Sequence, residues 1–163
     1  MNICIPKERR DNEYRVGLTP AGIELLTQMG HTCYVEKEAG LGSGFADHAY
    51  QKAGATIVYS GEEIYKRADL MLKVARPTKE EYGWMPEGLT LLGFLHLSAG
   101  WVNKVDALLD KKITAIGYEI VQEEDGSLPI LTPLSHLAGT MIPQIAAILA
   151  QNNYGGIGFA LSG

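Results

Sequence analysis

Cations and one histidine stand where apolar segments end. Lys7 and Glu8 follow "NICIP", with Arg15 further along the same loop. Lys73 and Arg76 flank Val74 and Ala75 at the end of "ADLMLKVARP". His96 closes "LTLLGFLH", and Tyr118 and Glu119 close "ITAIGYE". An arginine grips a carboxylate through two parallel hydrogen bonds. A histidine holds or exchanges a proton near neutral pH. Together these types suit a small anionic substrate such as a keto or amino acid. Each also has a plainer reading. Arg15 lies in the charge-dense "ERRDNEYRVGLTP" and reads equally as a solvated loop arginine. His96, on an apolar strand, reads also as a hydrogen-bonded structural histidine. Lys73 reads also as a lysine that lays its stem on apolar surface and its ammonium in water.

These residues converge only if the segments before them are parallel strands of one sheet. Short β-rich runs at 2–6, 31–37, 55–58, 69–75, 89–96 and 113–119 alternate with helical stretches at 19–30, 46–54, 60–68, 78–83 and 100–112. Thr19 is placed as an N-cap, with Pro20 behind it and Gly30 as the stop. Ser60 with Glu63, and Thr78 with Glu81, have capping-box spacing. The rhythm predicts an α/β fold, a mostly parallel sheet with helices on both faces. In such sheets ligands bind beyond the carboxyl ends of the strands. Side-chain alternation along 69–75 puts Lys73 and Ala75 on one face and Arg76 on the other, with Lys73 ~6–7 Å back along the strand.

The chain then changes character. A loop over 123–133 turns at Asp125-Gly126. A long, mostly apolar helix is expected over 135–156, with Ser135 as N-cap and Pro143 kinking it or marking its first turn. Residues 157–163 read as the start of another strand. The division follows as 1–134, a substrate-binding α/β domain, and 135–163, a connecting helix and the start of a truncated nucleotide-binding domain. A helix this apolar needs partners on several sides, so a homo-oligomer through it is expected.

Composition narrows the class. The chain has 163 residues, of which 46% are hydrophobic and 20% charged, with a net charge of −5. That charge, without a basic run, argues against a nucleic-acid partner. No apolar stretch reaches membrane-spanning length, and "MNICIPKERR" lacks the apolar core of a signal peptide. Cys4 and Cys33, isolated in apolar contexts, fit buried thiols of a reducing compartment. Cytoplasmic location follows as the expectation. Zinc spacings are absent, so no metal ligand is assigned. Neither "GLGSGF" (40–45) nor "NYGGIG" has the GxGxxG spacing of a dinucleotide loop, so no cofactor-binding residue is assigned either.

The segments "IPKE…NEYRVGLTPAG", "EAGLGSGFAD", "ADLMLKV…P", "FLHL", "YEIVQEEDGSLPILTP" and "SHLAG" together resemble the N-terminal part of alanine dehydrogenase, over the whole chain. That family shares this domain with nicotinamide nucleotide transhydrogenases, which resemble the chain less at "FLHL". The resemblance implies reversible oxidative deamination of L-alanine to pyruvate and ammonia, with NAD as hydride acceptor. It assigns Arg15 to the substrate carboxylate and His96 to the catalytic contact with the substrate's carbonyl or amino end. Lys73 is the remaining substrate-binding candidate. Three departures stand out. Ala75 occupies the place of a family lysine. His136 replaces a glutamate. The sequence also ends where the family's Rossmann NAD domain begins, so inactivity alone is expected. Two alternatives remain: a non-catalytic small-carboxylate-binding or assembly domain, and the N-terminal part of a transhydrogenase alpha subunit.

Overall fold

Six short apolar runs become six parallel strands. In the computed structural model, which describes residues 1–98 and 103–160, these are β1 (Asn2–Ile5), β2 (Thr32–Glu36), β3 (Thr56–Val58), β4 (Leu70–Ala75), β5 (Thr90–Phe94) and β6 (Thr114–Gly117). Their order across the sheet is β3-β2-β1-β4-β5-β6. The chain builds outward from β1 in one direction, then returns beside β1 with β4. That reversal opens a crevice at the carboxyl ends of β1 and β4, where such sheets bind ligands.

Alternation decides what each face carries. Ile3, Ile5, Cys33 and Val35 pack on one side with Ile23 of α1 (Pro20–Gln28) and Tyr50 of α2 (Asp47–Lys52). Cys4, Met71 and Leu91 pack on the other with Ile64 and Tyr65 of α3 (Gly61–Arg67), Tyr82 of α4 (Lys79–Trp84) and Leu108 of α5 (Lys104–Asp110). The sheet is thus covered on both faces, as the continuous apolar strands require.

The helix starts follow the caps. The Thr19 hydroxyl accepts from Gly22 N–H and Ser60 from Glu63 N–H, while Thr78 and Glu81 complete both halves of a capping box. Gly30 leaves α1 with φ 84°, a left-handed stop that glycine adopts freely.

Four expectations need correction. First, β5 ends at Phe94, so His96 lies beyond the strand, in the left-handed region at φ 44°. Second, β4 does not alternate to its end. Leu72 pairs with Leu92 and Ala75 with Phe94, so three steps on β4 match two on β5. This extra residue turns Ala75 to the face of Leu72, opposite Lys73. Third, the last helix, α6 (Leu131–Leu149), begins upstream of Ser135. Its first-turn N–H groups have no intrahelical acceptor, so Pro133 is accommodated there and Ser135 is interior. Pro143 lies inside the helix. Fourth, residues 157–160 form no strand. The expected strand end at 161–163, and the helix start at 100–102, lie outside the described residues.

The chain forms two compact units, Met1–Tyr118 and Glu119–Gly163. The first holds the sheet and α1 to α5. The second holds the turn at Asp125-Gly126, where Gly126 has φ 85°, and α6. The division expected at 134/135 falls inside this second unit. None of the residues of α6 is buried, and Leu137, Met141, Ile142 and Ile145 are exposed along it. Among the described residues, no helix is long and apolar enough to cross a membrane.

Candidate functional site

At the crevice between β1 and β4 the chain leaves β1 through Pro6 and Lys7, and Glu8 turns inward. Its Oε1 accepts the Val74 backbone N–H at 2.7 Å, and its Oε2 accepts from Lys73 Nζ at 3.0 Å. Val74 sits in the slipped stretch of β4 between Leu72 and Ala75, where the ladder is locally disrupted and Glu8 supplies an acceptor. Lys73 is fully buried and also donates to Glu81 Oε1 at 2.7 Å. Glu81 is finished by two more donors, Thr78 N–H at 2.7 Å and the Tyr65 hydroxyl at 3.0 Å. Burial pushes the Glu81 carboxyl up, but the Lys73 ammonium and these donors hold it below its ordinary value of 4.5. Burial, followed by the charge of Glu81, drives the Tyr65 phenol far above its ordinary value.

Arg15 is held differently. Its loop reaches the sheet edge because Gly17 lies against β4: a Cβ there would stand 2.3 Å from the Leu72 carbonyl oxygen. Arg15 pairs with Glu13, two residues before it. Nε donates to Glu13 Oε1 at 2.8 Å and Nη2 to Oε2 at 2.7 Å. The hydrogen bond to Glu13 raises the guanidinium's pKa further, and Glu13 in turn is held below its usual range first by Arg15 and in smaller part by the Lys73 charge. A small cavity of about 70 Å³ opens here, lined by Lys7, Glu8, Glu13 and Arg15 among others. Lys73 is thus held by Glu8 and Glu81 and Arg15 by Glu13, and Glu8, Glu13 and Arg15 line one cavity.

His96 follows β5. Its ring stacks on Phe94, centroids 6.2 Å apart, and Phe94 meets Tyr118 edge-on at 5.6 Å. The left-handed backbone is costly for a residue with a Cβ. Its carbonyl accepts from the buried Lys104 Nζ at 2.5 Å, which anchors that conformation. Burial, then the nearby charge of Glu8, raises the Tyr118 phenol, so it stays protonated at neutral pH. Phe94 thus joins His96 to Tyr118, and neither His96 nor Tyr118 is among the residues lining the cavity beside Arg15.

Arg76 contributes its backbone: its carbonyl accepts from Arg10 Nε at 2.8 Å, and Pro77's accepts from Arg10 Nη2 at 3.3 Å. Ala75 places no charge on the face it shares with Leu72. Glu13 and Lys104 were not legible as site residues. Glu81 was legible only as a capping residue. In Glu13 the available signal was its spacing of two from Arg15.

The glycine loop over 40–45 is filled by the chain itself. A Cβ at Gly40 would meet the Tyr50 ring at 2.6 Å, and one at Gly42 the Tyr14 carbonyl at 2.7 Å. These glycines admit the close approach of the protein's own atoms. Among the described residues no cluster of three or more His, Cys, Asp or Glu is grouped to hold a metal.

The sequence pattern of the family described as "Alanine dehydrogenase/PNT, N-terminal domain" matches residues 4–138. The chain belongs to that family. Among curated relatives of this alanine dehydrogenase/PNT N-terminal domain, the alanine dehydrogenase of Staphylococcus haemolyticus is 46% identical over 163 residues, covering all of the chain and 43% of the relative. The alanine dehydrogenase of Methanococcus maripaludis has the same identity and coverage, 46% and 43%. A solved L-alanine dehydrogenase superposes with a TM-score of 0.88 at 39% identity, over all of this chain and 45% of the other. The transhydrogenase from Sinorhizobium meliloti gives 0.67 at 28% identity, over 73% of this chain and 35% of its own. The chain therefore spans less than half the length of the relatives it matches.

Proposed function

We propose that this domain forms the substrate-carboxylate side of an alanine dehydrogenase, which interconverts L-alanine and pyruvate plus ammonia with NAD. The observation that carries this is Arg15, held in a fixed plane at the cavity beside the β1/β4 crevice. A guanidinium so placed binds a carboxylate through paired, charge-assisted hydrogen bonds. His96, beyond β5, is assigned to the carbonyl or amino end of the substrate, where it holds or passes a proton. Lys73 serves the same site through Glu8: it holds the acid that lines the cavity beside Arg15.

Nicotinamide would accept or deliver the hydride. We place its site in the part of the relatives that this chain does not span. Hydride transfer needs donor and acceptor carbon held in contact. The 163-residue chain alone is therefore expected to bind substrate and not to turn it over. Two buried thiols suit a cytoplasmic setting, and the exposed apolar side chains of α6 suit burial in a homo-oligomer.

The test is a pyruvate titration followed by NMR on the chain, on Arg15→Met and on Ala75→Lys. Saturable binding lost at least about tenfold in Arg15→Met, through missing charged hydrogen bonds, supports the reading. Equal binding by Arg15→Met overturns it. A second reading, a non-catalytic carboxylate-binding or assembly domain, is favoured by the neutral Ala75. Binding that appears only in Ala75→Lys would select it.

A further inference from the structure

Arg15 is more than half exposed, with 53% of its side chain open to solvent, whereas its partner Glu13 is 13% exposed. The acid is the anchored member of the pair. Its backbone is pinned on each side: Glu13 N–H donates to the Arg10 carbonyl at 3.1 Å, and the Ser43 hydroxyl donates to the Tyr14 carbonyl at 2.9 Å. Glu13 Oε1 accepts the Arg15 backbone N–H as well, at 3.1 Å. One carboxylate thus receives three hydrogen bonds from one residue, two of them from the guanidinium.

A guanidinium carries five N–H donors in a planar fork. Glu13 takes the edge formed by Nε and Nη2. The other edge, formed by Nη1 and the second proton of Nη2, remains, and among the described residues no group accepts from Nη1. We propose that Glu13 is a positioning residue for Arg15, occupying its Nε/Nη2 edge and presenting the Nη1/Nη2 edge to a monocarboxylate ligand. This rests on the reading of Arg15 as the carboxylate grip. It also predicts a sign that charge counting alone does not. Removing an acid beside a cation strengthens anion binding on electrostatics. Removing a bracket that orders a long, exposed side chain weakens it, because the ligand must then order that side chain itself.

The experiment titrates pyruvate into the 163-residue chain and into its Glu13→Ala and Glu13→Gln variants, following the Arg15 Nε–H resonance and the dissociation constant. Urea unfolding checks that each variant is folded. Glu13→Ala is expected to weaken pyruvate binding about fivefold or more and to move the Arg15 Nε–H resonance toward that of a free arginine. Glu13→Gln keeps one acceptor oxygen and recovers part of the loss. Unchanged or tighter binding in both variants, with the wild-type chain binding, overturns the proposal alone. Absence of binding by the wild-type chain overturns the carboxylate reading of Arg15 and this proposal with it.

Discussion

Glu8 accepts the Val74 backbone N–H at 2.7 Å across 66 residues of sequence, where β4 slips against β5. The same carboxylate holds Lys73, so one side chain both caps the irregular backbone and neutralises the buried ammonium. The slip also turns Ala75 away from Lys73. Lys73 therefore does not stand on the strand face where a charge at position 75 would have been.

The buried cluster makes stability depend on pH. Glu81 is held below 4.5 in the folded chain, so it binds protons less readily there than when unfolded. It contributes stability that is present above that range and is lost as pH falls through the folded value. Lys73→Met leaves two buried carboxylates without their ammonium. It is expected to cost about 3–5 kcal/mol at pH 7, and the gap to wild type narrows as pH falls below 4.5, as measured by urea unfolding across pH. A gap that does not change with pH would sink this account.

Gly17 is a packing position. A Cβ there meets the Leu72 carbonyl oxygen at 2.3 Å, which is backbone and has nowhere to move. Gly17→Ala is expected to destabilise by about 1–3 kcal/mol, read as a lower thermal midpoint. It should also shift the Arg15 Nε–H resonance, since the loop that carries Arg15 must move. A variant as stable as wild type with an unmoved Arg15 would contradict the close approach.

Thr78→Ala removes one half of the capping box at α4 while leaving Glu81 on the Thr78 N–H. A loss of about 1 kcal/mol is expected from the missing cap. Chemical denaturation measures it, and Thr78→Ser should restore most of it.

Burial, with a smaller push from Asp69, raises the Cys4 thiol to about 12, and burial raises Cys33 too. Reactivity follows the thiolate. Neither cysteine should be modified by a disulfide reagent at pH 8 while the chain is folded, and both should react promptly in denaturant. Fast labelling of the native chain would place at least one thiol outside the core.

The sequence by itself determined the parallel, doubly covered sheet, because strands such as 69–75 and 89–95 are apolar along both edges of their alternation. It determined the helix starts at Thr19, Ser60 and Thr78, because a cap is made by residues three apart. It also put Lys73 near the end of a strand and Arg15 in the loop that follows the first strand. Only the tertiary structure decided what those residues touch. Glu8 finds Val74 and Lys73 because the strand order brings β4 back beside β1. Lys73 loses its shared face with Ala75 to a register slip set by pairing with β5. Lys104 pins the left-handed His96 from a helix one connection later. The last helix starts before Ser135 because the unbonded first turn accommodates Pro133. Local rules reach about four residues along a chain, and each of these outcomes depended on a partner that lay further away or on competition among neighbouring signals.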